Sequence, residues 1–223
     1  MRKIIEMKDI HKAYQMGTQS VKVLKGVSLD IYEGELVAIL GPSGSGKSTL
    51  MNILGCIDTM DSGSYYLDGE DIDDQTDDDY SYIRNQKIGF VFQKFNLINK
   101  YTALYNVALP LILGGSTKDE ALEKAEETLN SVGLGDRMHH KPLELSGGQQ
   151  QRVAVARALV NNASLILADE PTGNLDSTTG EEIMNLFSEL NAQGHTILII
   201  THDLEIANHA KRIIHVKDGI VHL

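Results

Sequence analysis

The sequence has little cysteine, little positive charge and no long apolar run, and each shortage excludes a class of protein. Only one of its 223 residues is cysteine, which excludes an intrachain disulfide framework and favours a reducing compartment. The longest lipid-compatible run, residues 107–113, is interrupted by Pro110 and is far shorter than the ~20 apolar residues that span a bilayer. The N-terminus carries charges where a signal peptide needs an apolar stretch. We therefore expect a soluble, cytoplasmic protein whose membrane role, if any, comes through a partner.

Basic residues are outnumbered by acidic ones. The chain has 20 Lys and Arg against 31 Asp and Glu, which gives a formal net charge of −11. Nucleic-acid binding needs clustered positive charge, as does a polybasic membrane anchor, so we expect neither. Much of the excess falls within residues 68–79, a stretch without Lys or Arg that we expect to be a solvated loop. Its acids are Asp68, Glu70, Asp71, Asp73, Asp74, Asp77, Asp78 and Asp79.

The spacing of apolar residues predicts an α/β fold. Alternating or continuous apolar runs are typical of strands, and spacings of three and four are typical of helices. The expected strands are residues 22–31, 36–40, 165–168 and 196–200, with a terminal hairpin over 213–221. The expected helices are residues 48–56, 117–132, 149–159 and 181–192. We predict one domain, residues 1–223, in which a helical subdomain of about 94–159 interrupts an α/β core formed by 1–93 and 160–223.

A glycine-rich loop lies between the predicted strand 36–40 and the predicted helix 48–56. Its sequence matches G-x-x-x-x-G-K-[ST] and comprises Gly41, Pro42, Ser43, Gly44, Ser45, Gly46, Lys47, Ser48 and Thr49. Glycines let the backbone wrap around a phosphate, and inward amides together with the helix N-terminus attract an anion. Lys47 would supply charge to the β- and γ-phosphates, and Ser48 would ligate Mg²⁺. The strand–loop–helix order disfavours the alternative of a glycine-rich turn that binds nothing.

Two acids end the predicted strand 165–168. Ligands of open parallel sheets bind at the carboxyl ends of the strands, where Asp169 and Glu170 would lie. Asp169 is a candidate for holding Mg²⁺, usually through water, and Glu170 is a candidate for polarising a water that attacks the γ-phosphate. A strand end with two solvated acids is the alternative, and the nearby phosphate loop disfavours it.

A second glycine-rich segment, Ser146-Gly147-Gly148, opens the predicted helix 149–159. Ser146 is a candidate N-cap. The segment could bind an anion through the Ser146 hydroxyl and the two glycine amides. A plain capped helix start explains the same residues equally well, so local chemistry leaves both interpretations open.

The order of the motifs resolves that choice through a resemblance. The sequence LSGGQ at residues 145–149 begins 98 residues after Lys47 and precedes the Asp169 strand, and it resembles the signature of ABC-type ATPases. The family's other motifs are matched by Tyr14 for the adenine-stacking aromatic, Gln93 for the Q-loop, Asn174-Leu175-Asp176 for the D-loop and His202 for the switch histidine. The resemblance covers essentially the whole chain. It implies a P-loop NTPase with a RecA-like core, an N-terminal antiparallel β subdomain and an inserted α-helical subdomain.

The resemblance also implies how the site works. ATP would lie between the phosphate loop of one protomer and Ser146, Gly147 and Gly148 of a second copy. The implied roles are Tyr14 on adenine, Lys47 and Thr49 on phosphates, Ser48, Gln93 and Asp169 at Mg²⁺, Glu170 on the attacking water, His202 on the γ-phosphate and Asp176 at the dimer interface. The implied activity is hydrolysis of ATP to ADP and phosphate: ATP holds a homodimer together, hydrolysis releases it, and this cycle powers a partner permease.

Within the family, the motifs resemble the MacB/LolD group and are also similar to the cell-division ATPase FtsE; the run QQQR at 149–152 favours the former. This group implies an integral membrane permease as partner, a location on the cytoplasmic face of the membrane and, in some members, a periplasmic or extracellular adaptor. A regulatory role on cell-wall enzymes and a soluble non-transport ATPase are the alternatives. The apolar and aromatic residues within 92–104 fit either a groove for a permease helix or the core of the helical subdomain.

Overall fold

The computed structural model of the protein describes residues 2–73 and 75–222. Asp74, one of the acids in the 68–79 stretch, lies outside the described residues. The strands are β1 Lys3–Met16, β2 Gln19–Tyr32, β3 Leu36–Leu40, β4 Ser62–Leu67, β5 Glu70–Asp71, β6 Ile88–Phe92, β7 Leu165–Asp169, β8 Ile197–Thr201, β9 Arg212–Lys217 and β10 Ile220–His222. The α-helices are α1 Lys47–Leu54, α2 Asp77–Lys87, α3 Ala103–Leu113, α4 Lys118–Ser131, α5 Gly147–Leu159, α6 Ser177–Ala192 and α7 Leu204–Ala207. Short 3₁₀ turns lie at Gly135–Arg137 and Pro142–Glu144.

The central sheet has the order β10-β9-β3-β8-β7-β6, in which β10 is antiparallel to β9 and the other neighbours are parallel. A second sheet, β2-β1-β4-β5, is antiparallel. The expected strands at 36–40, 165–168 and 196–200 and the terminal hairpin are confirmed. Because β3, β8, β7 and β6 run in parallel, the loops that follow them all leave the sheet at one edge.

Successive residues of the central strands enter two different hydrophobic clusters, as the alternation of side chains along a strand requires. Leu165 and Leu167 pack with the antiparallel sheet, α1 and α2 on one face. Ile166 and Ala168 pack with α3, α4, α5 and α6 on the other face. Burial on both faces explains the continuous apolar runs in the sequence. The helices from within 94–159 therefore share one cluster with the central sheet, and the proposed subdomain boundaries stay a prediction.

The prediction that the acidic stretch 68–79 is a loop is wrong, because parts of it form a strand and a helix. Glu70 and Asp71 form β5, and Asp77, Asp78 and Asp79 form the first turn of α2. Thr76 caps this helix: its hydroxyl accepts the Asp79 N–H, and the Asp79 carboxylate accepts the Thr76 N–H in return. Carboxylates are favourable at a helix N-terminus because its amides and dipole are positive.

Helix starts are set by caps that lie earlier than the apolar pattern suggests. The helix expected at 149–159 begins at Gly147, after the Ser146 cap, and the helix expected at 181–192 begins at Ser177, after the Asp176 cap. The helix expected at 117–132 begins after Thr117, as predicted. Within the described part of the chain, no helix has the length and apolar character needed to cross a membrane.

Candidate functional site

The phosphate-loop sequence forms a tight turn between β3 and α1. Gly46 is the N-cap of α1 with φ 101, so no side chain caps the first-turn amides of the helix. These amides are therefore available to an anion. A Cβ at Gly41 would lie 2.2 Å from the Val216 carbonyl oxygen, so a larger residue cannot occupy this position without moving the backbone. Gly44, at φ 78, has open space on its Cβ side.

Two polar groups inside the loop fit a phosphate. The Lys47 ammonium donates to the carbonyl oxygens of Gly41 at 2.6 Å and Pro42 at 2.9 Å, which holds it at the loop. Burial lowers the pKa of Lys47, and the carboxylates of Glu170 and Asp169 oppose that shift. The Ser45 hydroxyl is buried and has no hydrogen-bond partner in the described structure. An unsatisfied hydroxyl within a cradle of amides and a lysine suits a ligand that brings acceptor oxygens.

The predicted acids lie at the same sheet edge. Asp169 ends β7, which pairs with β8, and β8 in turn pairs with β3 ahead of the phosphate loop. Burial and the neighbouring Glu170 carboxylate raise the pKa of Asp169, while Lys47 opposes this. Glu170 follows at φ 45, an uncommon backbone conformation for a residue with a Cβ. The two carboxylates and Lys47 therefore belong to one electrostatic group, as the sequence predicted.

The Glu170 carboxylate is held by residues that follow the neighbouring strand. Its Oε1 accepts the His202 backbone N–H at 3.0 Å and lies 2.5 Å from His202 Nδ1. Its Oε2 accepts the Thr201 hydroxyl at 3.1 Å. Thr201 also accepts the Asp203 N–H at 3.0 Å, so the buried threonine joins Glu170 to the turn that carries His202. Thr201 was not predicted as a site residue. The only signal for it in the sequence was its position at the end of a strand, directly before the candidate His202.

Gln93 reaches the loop after Glu170 from the edge strand β6. Its Nε2 lies 3.5 Å from Asn174 Oδ1, and the Asn174 amide donates to the Gln93 carbonyl at 2.9 Å. A Cβ on Gly173 would lie 2.5 Å from Gln93 Nε2, so a glycine lets the two loops approach. The structure thus brings Gln93 to the Asp169–Glu170 segment, and Asn174 joins them.

The signature segment forms a separate group at the start of α5. The exposed Ser146 caps the helix: its hydroxyl accepts the Gln149 N–H, and its own N–H donates to the Gln149 side chain at 2.9 Å. A Cβ on Gly148 would lie 2.5 Å from Thr179 Cγ2, and a Cβ on Gly147 would lie 3.2 Å from Leu175. These contacts lead to the start of α6 and not to residues 41–49.

Asp176 has a structural role at the start of α6. Its carboxylate caps α6 by accepting the Thr179 N–H at 3.0 Å and the Thr179 hydroxyl at 2.7 Å. These bonds lower the pKa of Asp176. The capping role could have been predicted from an aspartate placed three residues before a threonine at a helix start.

Tyr14 lies near the end of β1, beside the phosphate-loop helix. Its hydroxyl donates to Asp58 Oδ2 at 2.6 Å. Burial and the Asp58 carboxylate raise the pKa of Tyr14, and the nearby Thr49 hydroxyl opposes them. The aromatic ring thus reaches the phosphate-loop region from a different sheet.

The chain is similar in sequence to known proteins. Residues 24–173 match the ABC transporter family. The ABC transporter ATP-binding protein YknY of Bacillus subtilis, described as uncharacterized, is 54% identical over 216 residues, which are 97% of this chain and 94% of YknY. The macrolide export ATP-binding/permease protein MacB of Wolinella succinogenes is 53% identical over 97% of this chain but only 34% of MacB, so the chain spans about a third of that relative.

A solved structure agrees with the fold as well as the sequence. The dimeric ATP-binding cassette MJ0796, in a post-hydrolysis state bound to ADP and Pi, is 50% identical to this chain. It superimposes with a TM-score of 0.88 over 98% of this chain and 97% of its own. The predicted fold class is confirmed by this likeness and by the two sheets described above. The chain therefore belongs to the ABC transporter family and is an ABC-type ATPase that binds and hydrolyses ATP.

Proposed function

We propose that this chain is the ATPase subunit of a MacB/LolD-type complex, in which an ATP-bound homodimer drives a partner permease in the membrane. The observation that carries the proposal is the separation of two glycine-rich helix starts: the phosphate loop with its uncapped amides, and the signature segment, whose Ser146 is exposed and whose glycines lie beside Leu175 and Thr179. A second copy would supply the missing half. The dimeric cassette MJ0796 and the ATP-binding/permease protein MacB support this assignment by their likeness to the chain.

The proposed ATP site uses the residues predicted from the motifs. Tyr14 stacks on adenine, and the loop amides with Lys47 and Thr49 hold the phosphates. Ser146, Gly147 and Gly148 of the second copy contact the γ-phosphate from the other side. Because the triphosphate then lies between two positive helix N-termini, ATP holds the two protomers together. Asp176 lies near this contact and shapes it by capping α6.

Magnesium is proposed to accompany ATP. Ser48, Gln93 and Asp169 offer the oxygen ligands that this ion prefers. Burial and the neighbouring Glu170 carboxylate raise the pKa of Asp169, and a bound cation would offset both effects. Within residues 2–73 and 75–222, no three His, Cys, Asp or Glu side chains are grouped as a metal site. Phosphate oxygens and water would therefore complete its coordination. When bound, the ion neutralises phosphate charge.

Hydrolysis is proposed to begin at Glu170. Its carboxylate accepts a proton from a water whose oxygen attacks the γ-phosphorus, while the bond from that phosphorus to the β–γ bridging oxygen breaks, giving ADP and phosphate. Thr201 and the His202 N–H hold the carboxylate in orientation through their hydrogen bonds. Loss of the shared γ-phosphate contact weakens the dimer, which is how ATP and ADP favour different states.

An apolar groove offers a docking place for a permease helix. It lies between α2, β6, α3 and α5, and its lining includes Phe90, Phe92, Pro110 and Leu113. Leu113 is 73% exposed. Of the 92–104 stretch, Phe92 lines this groove, while Leu97 and Leu104 pack against the core. The proposed location is the cytoplasmic face of the membrane, through the permease.

Trapping the dimer tests the ATPase half of the proposal. We expect Glu170→Gln, which removes the proton acceptor, to keep ATP binding and to elute as a dimer in gel filtration with Mg²⁺ and ATP. The same variant without nucleotide, and Lys47→Ala with ATP, are the controls expected to elute as monomers. Elution of Glu170→Gln as a monomer with saturating ATP would contradict the shared site.

A groove variant tests the permease half. We expect Leu113→Glu to keep the ATPase rate of the isolated protein but to lose co-purification with a co-expressed permease of the MacB/LolD type, because a charge is introduced into an apolar contact. Ile220→Glu, at an exposed apolar position on β10, is the matched control. Equal recovery of the permease by both variants would move the docking surface elsewhere.

A further inference from the structure

A polar cluster around the buried Lys12 joins the end of β1 to the loop after α1. Lys12, only 9% exposed, donates to Asp58 Oδ1 at 2.8 Å and to the Thr59 carbonyl at 2.5 Å. The Asp61 carboxylate lies 3.9 Å from the same ammonium. Asp58 also accepts the Thr59 N–H at 2.8 Å. A desolvated lysine is tolerated here because these acceptors satisfy its charge.

This cluster restrains the Tyr14 side chain at both ends. The hydroxyl donates to the Asp58 carboxylate, 2.6 Å away. The ring lies 5.3 Å from the Lys12 ammonium, within the range of a cation–π contact. A tyrosine exposed for stacking would otherwise rotate freely about two side-chain torsions, so these contacts select one ring orientation.

Asp58 is itself tied to the phosphate-loop helix. The N–H groups of Ile57 and Asp58 both donate to the Asn52 carbonyl, at 2.8 and 3.1 Å, which folds their loop onto the end of α1. The helix is only 8 residues long, which corresponds to ~12 Å. The Tyr14 hydroxyl is therefore tied, through Asp58, to the end of the short helix that begins at the phosphate loop.

We propose that Asp58 is a positioning residue that fixes the base-stacking face of Tyr14 relative to the phosphate loop. Base and phosphates would then be held by one rigid unit built on α1, and a nucleoside triphosphate would bind with its length and orientation preset. The hydrogen bond involved pairs a hydroxyl with a charged carboxylate, which makes it stronger than a neutral one. This inference rests on the proposed role of Tyr14 as the adenine platform.

Calorimetric titration with MgATP and with Mg-tripolyphosphate separates base recognition from phosphate binding. We expect Asp58→Asn and Tyr14→Phe each to weaken ATP binding by roughly three- to tenfold, since each removes one charge-assisted bond. Tripolyphosphate binding should not change. The double variant should bind ATP no more weakly than the weaker-binding single variant, because both changes remove the same charge-assisted bond. Glu70→Gln, a carboxylate paired with Lys87, is the control expected to leave both affinities unchanged.

Tyr14→Ala makes the two possible failures distinguishable. If this variant binds ATP as well as the wild type, the adenine platform itself is wrong. If Tyr14→Ala weakens ATP binding while Asp58→Asn does not, the platform stands and the positioning role of Asp58 is wrong. If Asp58→Asn weakens ATP and tripolyphosphate equally, Asp58 acts on the phosphate-loop helix and the inference is overturned.

Discussion

Two glycine-rich segments open helices in this protein, and they differ in how much of a binding site the chain builds around them. At the phosphate loop, Gly46 leaves the first-turn amides of α1 uncapped, and Lys47 and the unpartnered Ser45 hydroxyl lie inside the turn. At the signature segment, Ser146 and Gln149 cap α5 reciprocally, and Ser146 is exposed. No Lys or Arg lies within residues 145–151.

The difference shows that a glycine-rich helix start is not by itself a binding site. Both segments have a positive helix end, which favours anions. Only the phosphate loop lies at the sheet edge with Asp169, Glu170 and His202. The signature glycines lie beside Thr179 of α6 and beside Leu175, just before that helix. We infer that the first segment is a nearly complete half-site and that the second serves a different molecule of the same chain.

The largest expected effect comes from removing the positive charge of the phosphate loop. Lys47→Ala removes the only ammonium that the loop carries, and we expect ATP turnover to fall by about a hundredfold or more. Equilibrium binding of ATP, measured by calorimetry, should become undetectable. Undiminished turnover would show that another site performs the chemistry.

A charge at the signature segment should separate binding from turnover. Ser146→Asp keeps a good N-cap but places a carboxylate against the phosphate of a second copy, so we expect turnover to fall about tenfold or more. ATP binding by the dilute monomer should stay unchanged. Ser146→Asn, equally good as a cap but uncharged, is the matched control and should retain most activity. Equal loss in both variants would mean that the segment has only a capping role.

A smaller effect is expected at Thr201, whose hydroxyl donates to the Glu170 carboxylate. Thr201→Val removes the hydroxyl that donates to Glu170 and is nearly the same size, so we expect kcat to fall about tenfold with little change in KM for ATP. Thr201→Ser, which keeps the hydroxyl, should restore most of the rate. A change in KM alone would contradict an effect on the Glu170 carboxylate.

The smallest effect is expected at His195, which lies away from both segments, just before β8. Burial lowers the pKa of His195 from 6.5, so the unfolded chain binds a proton at a higher pH than the folded one. Folding stability from this residue is therefore lost as the pH falls below about 6.5. We expect the melting temperature to drop more between about pH 7.5 and about pH 5.5 in the wild type than in His195→Gln. Equal drops would exclude this contribution.

The sequence predicted the central strands and the phosphate loop because their signals are local. A continuous apolar run predicts a strand buried on both faces, and a nine-residue motif fixes its own backbone. The loop predicted for the acidic stretch is wrong because its high charge suggested a lack of regular structure. The reciprocal cap formed by Thr76 and Asp79 makes those same acids favourable in a helix.

The missed site residues depend on pairing between distant segments. Asp58 meets Tyr14, Thr201 meets Glu170 and Asn174 meets Gln93, in each case across tens of residues of sequence. These contacts exist because β1 lies beside β4, and because β8 and β6 both flank β7. Strand order of this kind is a tertiary property, and no local pattern of residues states it.

Mixing two impaired variants asks whether the signature segment completes the site of a second copy. In a mixed dimer of Lys47→Ala and Ser146→Asp, one site carries both defects and the other carries neither. We expect the mixture to be more active than the two variants measured separately. Its limit is roughly a quarter of the wild-type ATPase rate, because random pairing would make half of the dimers mixed and each mixed dimer has one intact site. A mixture no more active than the separate variants would show that the signature segment does not complete the site of a second copy.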